Sequence, residues 1–237
     1  MQKRFDTNTS KPPAGVLDRG LLLLHLFTLE RNRMYLRELS ELSSLDKATT
    51  LRALRSLVEW GFLERSADGS YSPGAMNLRL AAIFKETSNL VTRAERPLNA
   101  ISERVDKSVS LFVLAGDQRV CLGRSRKQSN HTSYVELGTS VPLSHGGSAA
   151  KILQAYTGEQ TEEAAAIRAC GYAVSRGERL RHFASVSLPL FEVDGNFLGA
   201  IVIAGLSAEI TDQDLTDMAV IARQELSRLG FAAPPED

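Results

Sequence analysis

Residues 36–72, LRELSELSSLDKATTLRALRSLVEWGFLERSADGSYS, carry more structural instruction than any other part of this chain. In order they give a short helix, a tight turn, a longer helix and a two-stranded hairpin. That is the succession of a winged helix-turn-helix, which sets one helix into a DNA major groove. Leu36, Leu39 and Leu42 recur every three residues and share one face of the first helix. Asp46 is placed to cap the second helix, its carboxylate accepting from the free amides of the first turn. That helix, over 47–60, has an apolar stripe of Leu51, Leu54, Leu57 and Val58, opposite a stripe of Thr49, Arg52, Ala53 and Ser56. A face of short polar residues with one Arg can lie close to base edges and phosphates. Gly61 suits a left-handed helix cap. Residues 62–65 read as a strand, Ala67-Asp68-Gly69-Ser70 as a hairpin turn and Tyr71-Ser72 as the returning strand. Taken alone, the pattern also fits a helix pair with one packed and one solvated face.

Upstream, residues 16–29 read as a further helix, with Leu22, Leu26 and Leu29 on one face to complete a three-helix core. A chain of 237 residues with 43% hydrophobic content suits two modest domains. The formal net charge is zero, yet residues 1–80 hold twelve Lys and Arg against nine Asp and Glu, and the remainder balances that +3 with −3. The mild positive bias falls on the half that would face DNA. Cys121 and Cys170 sit in no metal spacing and read as inert thiols of a reducing cytosol rather than a redox switch. The polar start has no signal-peptide pattern, and the run Leu21-Leu22-Leu23-Leu24 is far too short for a membrane span. The expectation is a cytoplasmic protein without membrane contact. The first dozen residues and 233–237 read as disordered.

Pro73-Gly74 breaks the chain after the hairpin. Met76, Leu80, Ile83 and Phe84, then Leu90 and Val91, make a helical stripe that is core for one domain or a seam with a second copy. Another helix is expected over 93–105, with Pro97 near its start. From Ser108 the texture changes. Strands are expected over 108–114, 118–126, 132–137, 183–191 and 197–204, and helices over 147–156 and 161–170. The last two strands join at Val193-Asp194-Gly195-Asn196, and Thr211-Asp212-Gln213-Asp214 opens a final helix to about residue 229. Antiparallel hairpins flanked by helices make an α+β domain. The division expected is a winged helix-turn-helix over 1–74, a linker helix over 75–91 and a second domain over 92–237.

His145-Gly146-Gly147-Ser148 invites comparison with the oxyanion loops of esterases, but the chain has no Gly-x-Ser-x-Gly nucleophile elbow and no phosphate-binding GxxxxGK[ST] loop. No catalytic residue is assigned and the chain is read as a non-enzyme. The glycines suit backbone amides facing a cavity, with a carboxylate at the start of the next helix; a plain loop-to-helix turn has the same sequence. His25, His131, His145 and His182 are scattered without HxH or HExxH spacing, so neither metal nor cofactor is expected.

Leu17-Asp18-Arg19-Gly20, Lys47, Thr49, Arg52, Leu54, Leu57, Gly61-Phe62 and Tyr71 together resemble the DNA-binding half of the IclR (isocitrate-lyase-regulator) family of bacterial transcription factors. The resemblance continues more loosely to about residue 229. Pro142-Leu143, His145 and Lys151 follow one family element, with Ala150 where Gly is usual. Gly171-Tyr172-Ala173-Val174, Glu178, Leu188-Pro189-Leu190-Phe191, Gly195 and Gly199-Ala200 follow a second. Ala48 and Leu51 depart from the family's small residue and aromatic or histidine. Only nineteen residues separate Lys151 from Gly171, where relatives have a longer segment.

The resemblance implies a ligand-responsive, sequence-specific DNA-binding regulator of a catabolic or metabolic operon. It implies a linker helix within dimer contacts and a C-terminal GAF-like effector-binding domain. The implied partners are double-stranded operator DNA, a small organic acid, and further copies in a homodimer or dimer of dimers. DNA contacts fall to Lys47, Thr49, Thr50, Arg52 and Arg55, with Arg65 and Ser70 in the wing. Carried over residue by residue, the effector pocket has Ser148 and Ala149 at an amide cradle, Ser175 at an acidic position of relatives, and Ser185 where many have Cys. Val202 and Ala204 replace hydroxyls, and Phe183 and Val141 are apolar walls. Losing two hydroxyls and an acid implies a greasier pocket, hence a less charged ligand or one with an apolar or aromatic body. The rival reading is a metabolite-binding or hydrolytic domain with a protein-binding winged helix, separable by salt-dependent operator binding.

Overall fold

A computed structural model describes residues 13–126 and 135–232. The expected disordered ends, His131 and residues 132–134 of the expected strand lie outside the described residues. The chain forms two compact units, one through residue 88 and one from residue 89.

The N-terminal unit contains α1 (Val16–His25), α2 (Leu36–Ser43), α3 (Lys47–Glu59), β1 (Leu63–Arg65), β2 (Tyr71–Pro73) and α4 (Met76–Thr87). Leu23, Leu39 and Leu54, one from each of the first three helices, are fully buried together with Leu63 and Tyr71 of the hairpin. β1 and β2 pair antiparallel, and Met34 adds a bridge to Tyr71. α1 stops short of residue 29 because the Leu26 and Phe27 amides tighten onto carbonyls three residues back, and the Thr28 hydroxyl accepts from the Arg31 amide. Leu29 is left exposed. The end of α3 is closed by Gly61 N–H to Val58 O and Phe62 N–H to Leu57 O, the paired bonds of a glycine helix stop. Gly74 has a different constraint: a Cβ there would stand 2.3 Å from the Gly61 carbonyl oxygen, so only glycine fits. α4 buries none of its residues, and Leu78, Leu80, Ile83 and Phe84 are exposed along it.

The C-terminal unit contains α5 (Asn89–Val105), β3 (Ser108–Ala115), β4 (Gln118–Arg124), β5 (Ser140–Pro142), α6 (Ser148–Tyr156), α7 (Glu162–Cys170), β6 (Ala173–Arg176), β7 (Phe183–Phe191), β8 (Phe197–Leu206) and α8 (Asp212–Arg228). α5 starts earlier than expected and carries Pro97 in its buried middle, where the missing N–H leaves the Arg93 carbonyl without its helical partner. The described part of the expected 132–137 segment is not strand; β5 forms the sheet edge instead.

The sheet runs β5-β4-β3-β8-β7-β6, with every pair antiparallel. Strand periodicity sorts its two faces. Val109, Leu111, Val186, Leu188, Ile201 and Ile203 point to one side and make a core with α5 and α8. The other side packs Phe112, Cys121 and Ala200 against Ile152 and Leu153 of α6 and Ile167 of α7. On that second side the register aligns Ser175, Ser185, Ala204 and Ser108 in one row across four strands. The next row holds Ala173, Ser187, Val202 and Ser110. These small residues leave room above the sheet.

Candidate functional site

In the N-terminal unit, α3 presents a cationic edge. Asp46 caps it, Oδ1 accepting from the Thr49 amide at 2.9 Å, and that backbone bond holds the carboxyl below its ordinary pKa. Lys47, Arg52 and Arg55 are exposed, and Thr49 is half-buried with its hydroxyl accepting from Arg52 Nη2 at 3.2 Å. In the wing, Arg65 is exposed, its guanidinium 5.8 Å from the Tyr71 ring centroid.

In the C-terminal unit, the first row of small residues, with Val202 and Ser110 of the second, floors a cavity of about 90 Å³. The first turn of α6, Ser148 and Ala149, lies over it, with Phe183, Leu180 and Val135 as apolar wall. Ser148 Oγ shares hydrogen bonds of 2.7 Å with both Ser185 and Ser187. Gly146 and Gly147 lead into α6 with φ of +67° and +92°, a left-handed path that glycine takes freely. That loop is held from outside: Glu178 accepts from the Gly147 amide at 2.9 Å and from Lys151 Nζ at 2.8 Å. Burial pushes the Glu178 pKa up, but the bonds from Lys151 and Gly147 outweigh it and hold the carboxyl below its ordinary value. Arg119 and Arg179 complete the wall. Arg119 is buried and donates through Nη1 to the Gly146 carbonyl at 2.7 Å; burial, then the nearby Arg179, pull its pKa down to about 10.

The sequence matches the model of the IclR helix-turn-helix domain over residues 16–67. It matches that of the bacterial transcriptional regulator IclR C-terminal domain over 84–166 and 159–228. The chain belongs to the IclR family. The regulator KipR of Bacillus subtilis is 27% identical over 89% of this chain and 94% of its own length. An IclR-type regulator from Silicibacter sp. TM1040 has the same fold at a TM-score of 0.77, with 27% identity over 93% of this chain and 98% of its own. An IclR homologue from Microbacterium hydrocarbonoxydans, solved with 4-hydroxybenzoate, shares the fold at a TM-score of 0.64 and 19% identity, over 90% of this chain and all of its own. The chain is thus a DNA-binding transcription regulator with an N-terminal helix-turn-helix and a C-terminal α+β effector-binding domain.

Within this IclR regulator several expected positions need correction. Thr50 is fully buried, its hydroxyl bonded to the Asp46 carbonyl; it lies one turn before Leu54 and so faces the core, away from any DNA. Ser70 is also fully buried, its amide and hydroxyl both tied to Asp68 Oδ1, so it offers no hydroxyl to a phosphate. On α3 the packed side includes Ala53, whereas Leu51 stays outside the core cluster. In the cavity, Ser148, Ala149, Ser175, Phe183, Ser185, Val202 and Ala204 come together, from elements more than fifty residues apart in the chain. Val141 does not join them. It sits on edge strand β5 opposite Arg119, and Arg119 on the next strand inward forms the wall at that end. The expected amide cradle is partly spent, because Gly147 N–H is bonded to Glu178. Beside the expected apolar lining, Arg119, Arg179, Ser108 and Ser110 supply charge and hydroxyls that sequence reading did not assign. The sequence offered two faint signals for these. One is an arginine at an inward position of β4, and the other is the basic run through Arg176, Arg179 and Arg181 before β7.

Proposed function

We propose that this regulator reads its operator with α3 and answers to a small organic acid held in the cavity between the sheet and α6. Lys47, Thr49, Arg52 and Arg55 approach the major groove, and Arg65 touches phosphate from the wing. Ser148, Ala149, Ser175, Phe183, Ser185, Val202 and Ala204 line the effector site, and no chemistry is done on the ligand. The observation that carries the reading is the cavity. A sheet covered by helices on that side would normally be filled by large apolar residues, yet Ser175, Ser185, Ala204 and Ser108, with Val202 and Ser110 beside them, leave it open. The relative solved with 4-hydroxybenzoate supports an organic acid as ligand class.

The regulator works as a dimer or dimer of dimers, with α4 as the linker helix. Leu80, Ile83 and Phe84 are each about half exposed in a single chain, an apolar stripe that a second copy would cover. Two recognition helices then meet half-sites about 34 Å, or a multiple, apart. Among the described residues no helix is long and apolar enough to cross a membrane.

Operator titration by fluorescence anisotropy, with and without a panel of acids, tests the reading. An active acid shifts operator affinity in the wild type, since linked equilibria influence each other equally. Ala204→Phe fills the cavity and removes that shift while leaving ligand-free DNA binding intact. An acid that acts equally on both proteins would place the effector site elsewhere.

A further inference from the structure

The cavity wall carries two arginines that no carboxylate among the described residues pairs with. Arg119 is only 3% exposed, and among the described residues its hydrogen bond goes to the Gly146 carbonyl. Among the described residues no carboxylate pairs with it, and the like charge of Arg179 acts on it. Arg179 is half-buried on the same wall and likewise has no acidic partner among the described residues. The two flank Gly147: a Cβ built there would lie 3.6 Å from Arg119 Nη2 and 4.0 Å from Arg179 Cβ. The one acid on the wall, Glu178, is already engaged by Lys151 and by the Gly147 amide. Across the floor, Ser108 Oγ is buried without any hydrogen-bond partner among the described residues. A buried guanidinium without a counter-ion and a buried hydroxyl without a partner are each costly. One ligand relieves both if it brings negative charge to the arginines and an acceptor to the serine.

We propose that the effector is a compact dianionic acid, its two negative charges matched by Arg119 and Arg179 and a further acceptor reaching Ser108. This rests on the reading of the cavity as the effector site. Guanidinium groups bind carboxylate and phosphate oxygens in paired, charge-assisted bonds, so either source of charge fits the wall. The small cavity selects a short aliphatic frame over a bulky one.

Calorimetric titration of the full-length protein decides it. The probes are succinate and glutarate, their monoanionic counterparts butyrate and pentanoate, and phosphoglycolate beside glycolate. The expected result is that at least one dianion binds tenfold or more tighter than its matched monoanion; the dicarboxylate and phosphate arms tell which source is used. Arg179→Gln should bring that ratio close to one while the monoanion changes less than threefold. Arg119→Gln should lose both, and thermal melting reports whether it folds; if it does not, Arg179→Gln alone carries the test. Monoanions that bind as tightly as dianions, or a ratio that survives Arg179→Gln, overturn the proposal. Ala204→Phe separates the two readings. If some acid binds and this variant abolishes it without any preference for dianions, the cavity remains the effector site and only the charge assignment falls. If acids bind the variant unchanged, or no acid binds the wild type, both fall.

Discussion

The exposed edge of α3 and the cavity above the sheet are assembled by different routes. The cationic edge of α3 arises within nine residues, from Lys47 to Arg55, because one helix with one cap sorts its side chains by period alone. The cavity draws on Ser108, Arg119, Ser148, Ser175, Ser185 and Ala204, which only the pairing of five strands and the docking of α6 bring together. A local pattern is complete before tertiary structure forms; a register is a property of the whole sheet. The two regions should therefore fail differently when perturbed.

The largest effect is expected at the helix core. Leu54 is fully buried beneath α3, and Leu54→Ala should destabilise the N-terminal unit by about 2–5 kcal/mol through lost burial and a residual cavity. Trp60, the only tryptophan, lies at the end of that helix and reports denaturation of this unit by fluorescence. The Trp60 transition should move to lower denaturant while acid binding in native buffer is unchanged. Acid affinity that falls along with it would break the comparison, since the two units would not then behave separately.

Next in size is the exposed edge. Arg52→Ala should weaken specific operator binding by about 1–3 kcal/mol if the guanidinium reads a base, with no loss of melting temperature. Thr50→Ala should do the reverse, lowering stability through the lost bond to the Asp46 carbonyl and leaving base preference alone. Operator titrations and melts of the two variants give four readings. An Arg52→Ala protein with unchanged affinity would remove α3 from the interface.

What sequence could and could not reveal follows the same division. The helix pair, the Asp46 cap, the Gly61 stop and the hairpin are all set by residues within a few positions of each other, and each stands where the periodicity placed it. Errors there are local: Thr50 sits 100° from Thr49 on the helix, enough to turn it from solvent to core, and Ala53 rather than Leu51 joins the packed side. Strands β7 and β8 were equally legible from their apolar content. Their cavity side was only half legible. Ser185 and Ser187 alternate with Ala184, Val186 and Leu188, the mark of one polar and one apolar face, but nothing in the sequence tells water from a covered cavity. Arg119 was missed because its meaning lies in β4 being second from the edge, a fact of strand order. Val141 was misplaced for the same reason, one strand too far out.

In the wing a smaller effect should separate contact from scaffold. If Arg65 touches a phosphate, Arg65→Ala should lower affinity similarly for all sequences and flatten the slope of log K against log salt by about 0.9. Ser70→Ala should leave that slope unchanged, because its hydroxyl is tied to Asp68 inside the turn. Equal slopes for Arg65→Ala and wild type would take the wing off the DNA.

The smallest expected effect contrasts two caps. Asp46 holds a helix amide three residues away, and Glu178 holds the Gly147 amide from thirty-one residues away. Only the first was readable, although both do the same work of accepting from a free N–H at a helix start. Both carboxyls are held below their ordinary pKa, Asp46 chiefly by the Thr49 amide and Glu178 by Lys151 and Gly147 against the opposing pull of burial. A folded-state pKa below the unfolded one contributes stability that is complete above the unfolded value, 4.5 for Glu178, and is lost as pH falls through the depressed value. Lys151, whose pKa burial lowers but Glu178 and Glu163 together raise, keeps its side of the bond throughout that range. Glu178→Gln should therefore melt slightly below wild type at pH 7, and the gap should close as the pH is lowered past 4.5 into the acid range. The gap is small because the pair is partly exposed and screened by water and salt. Melting curves of the two proteins across that range, in the presence and absence of bound acid, provide the measurement. A gap of constant size down to pH 3 would mean that Glu178 acts by shape and not by charge, and that the loop before α6 is held by its glycines alone.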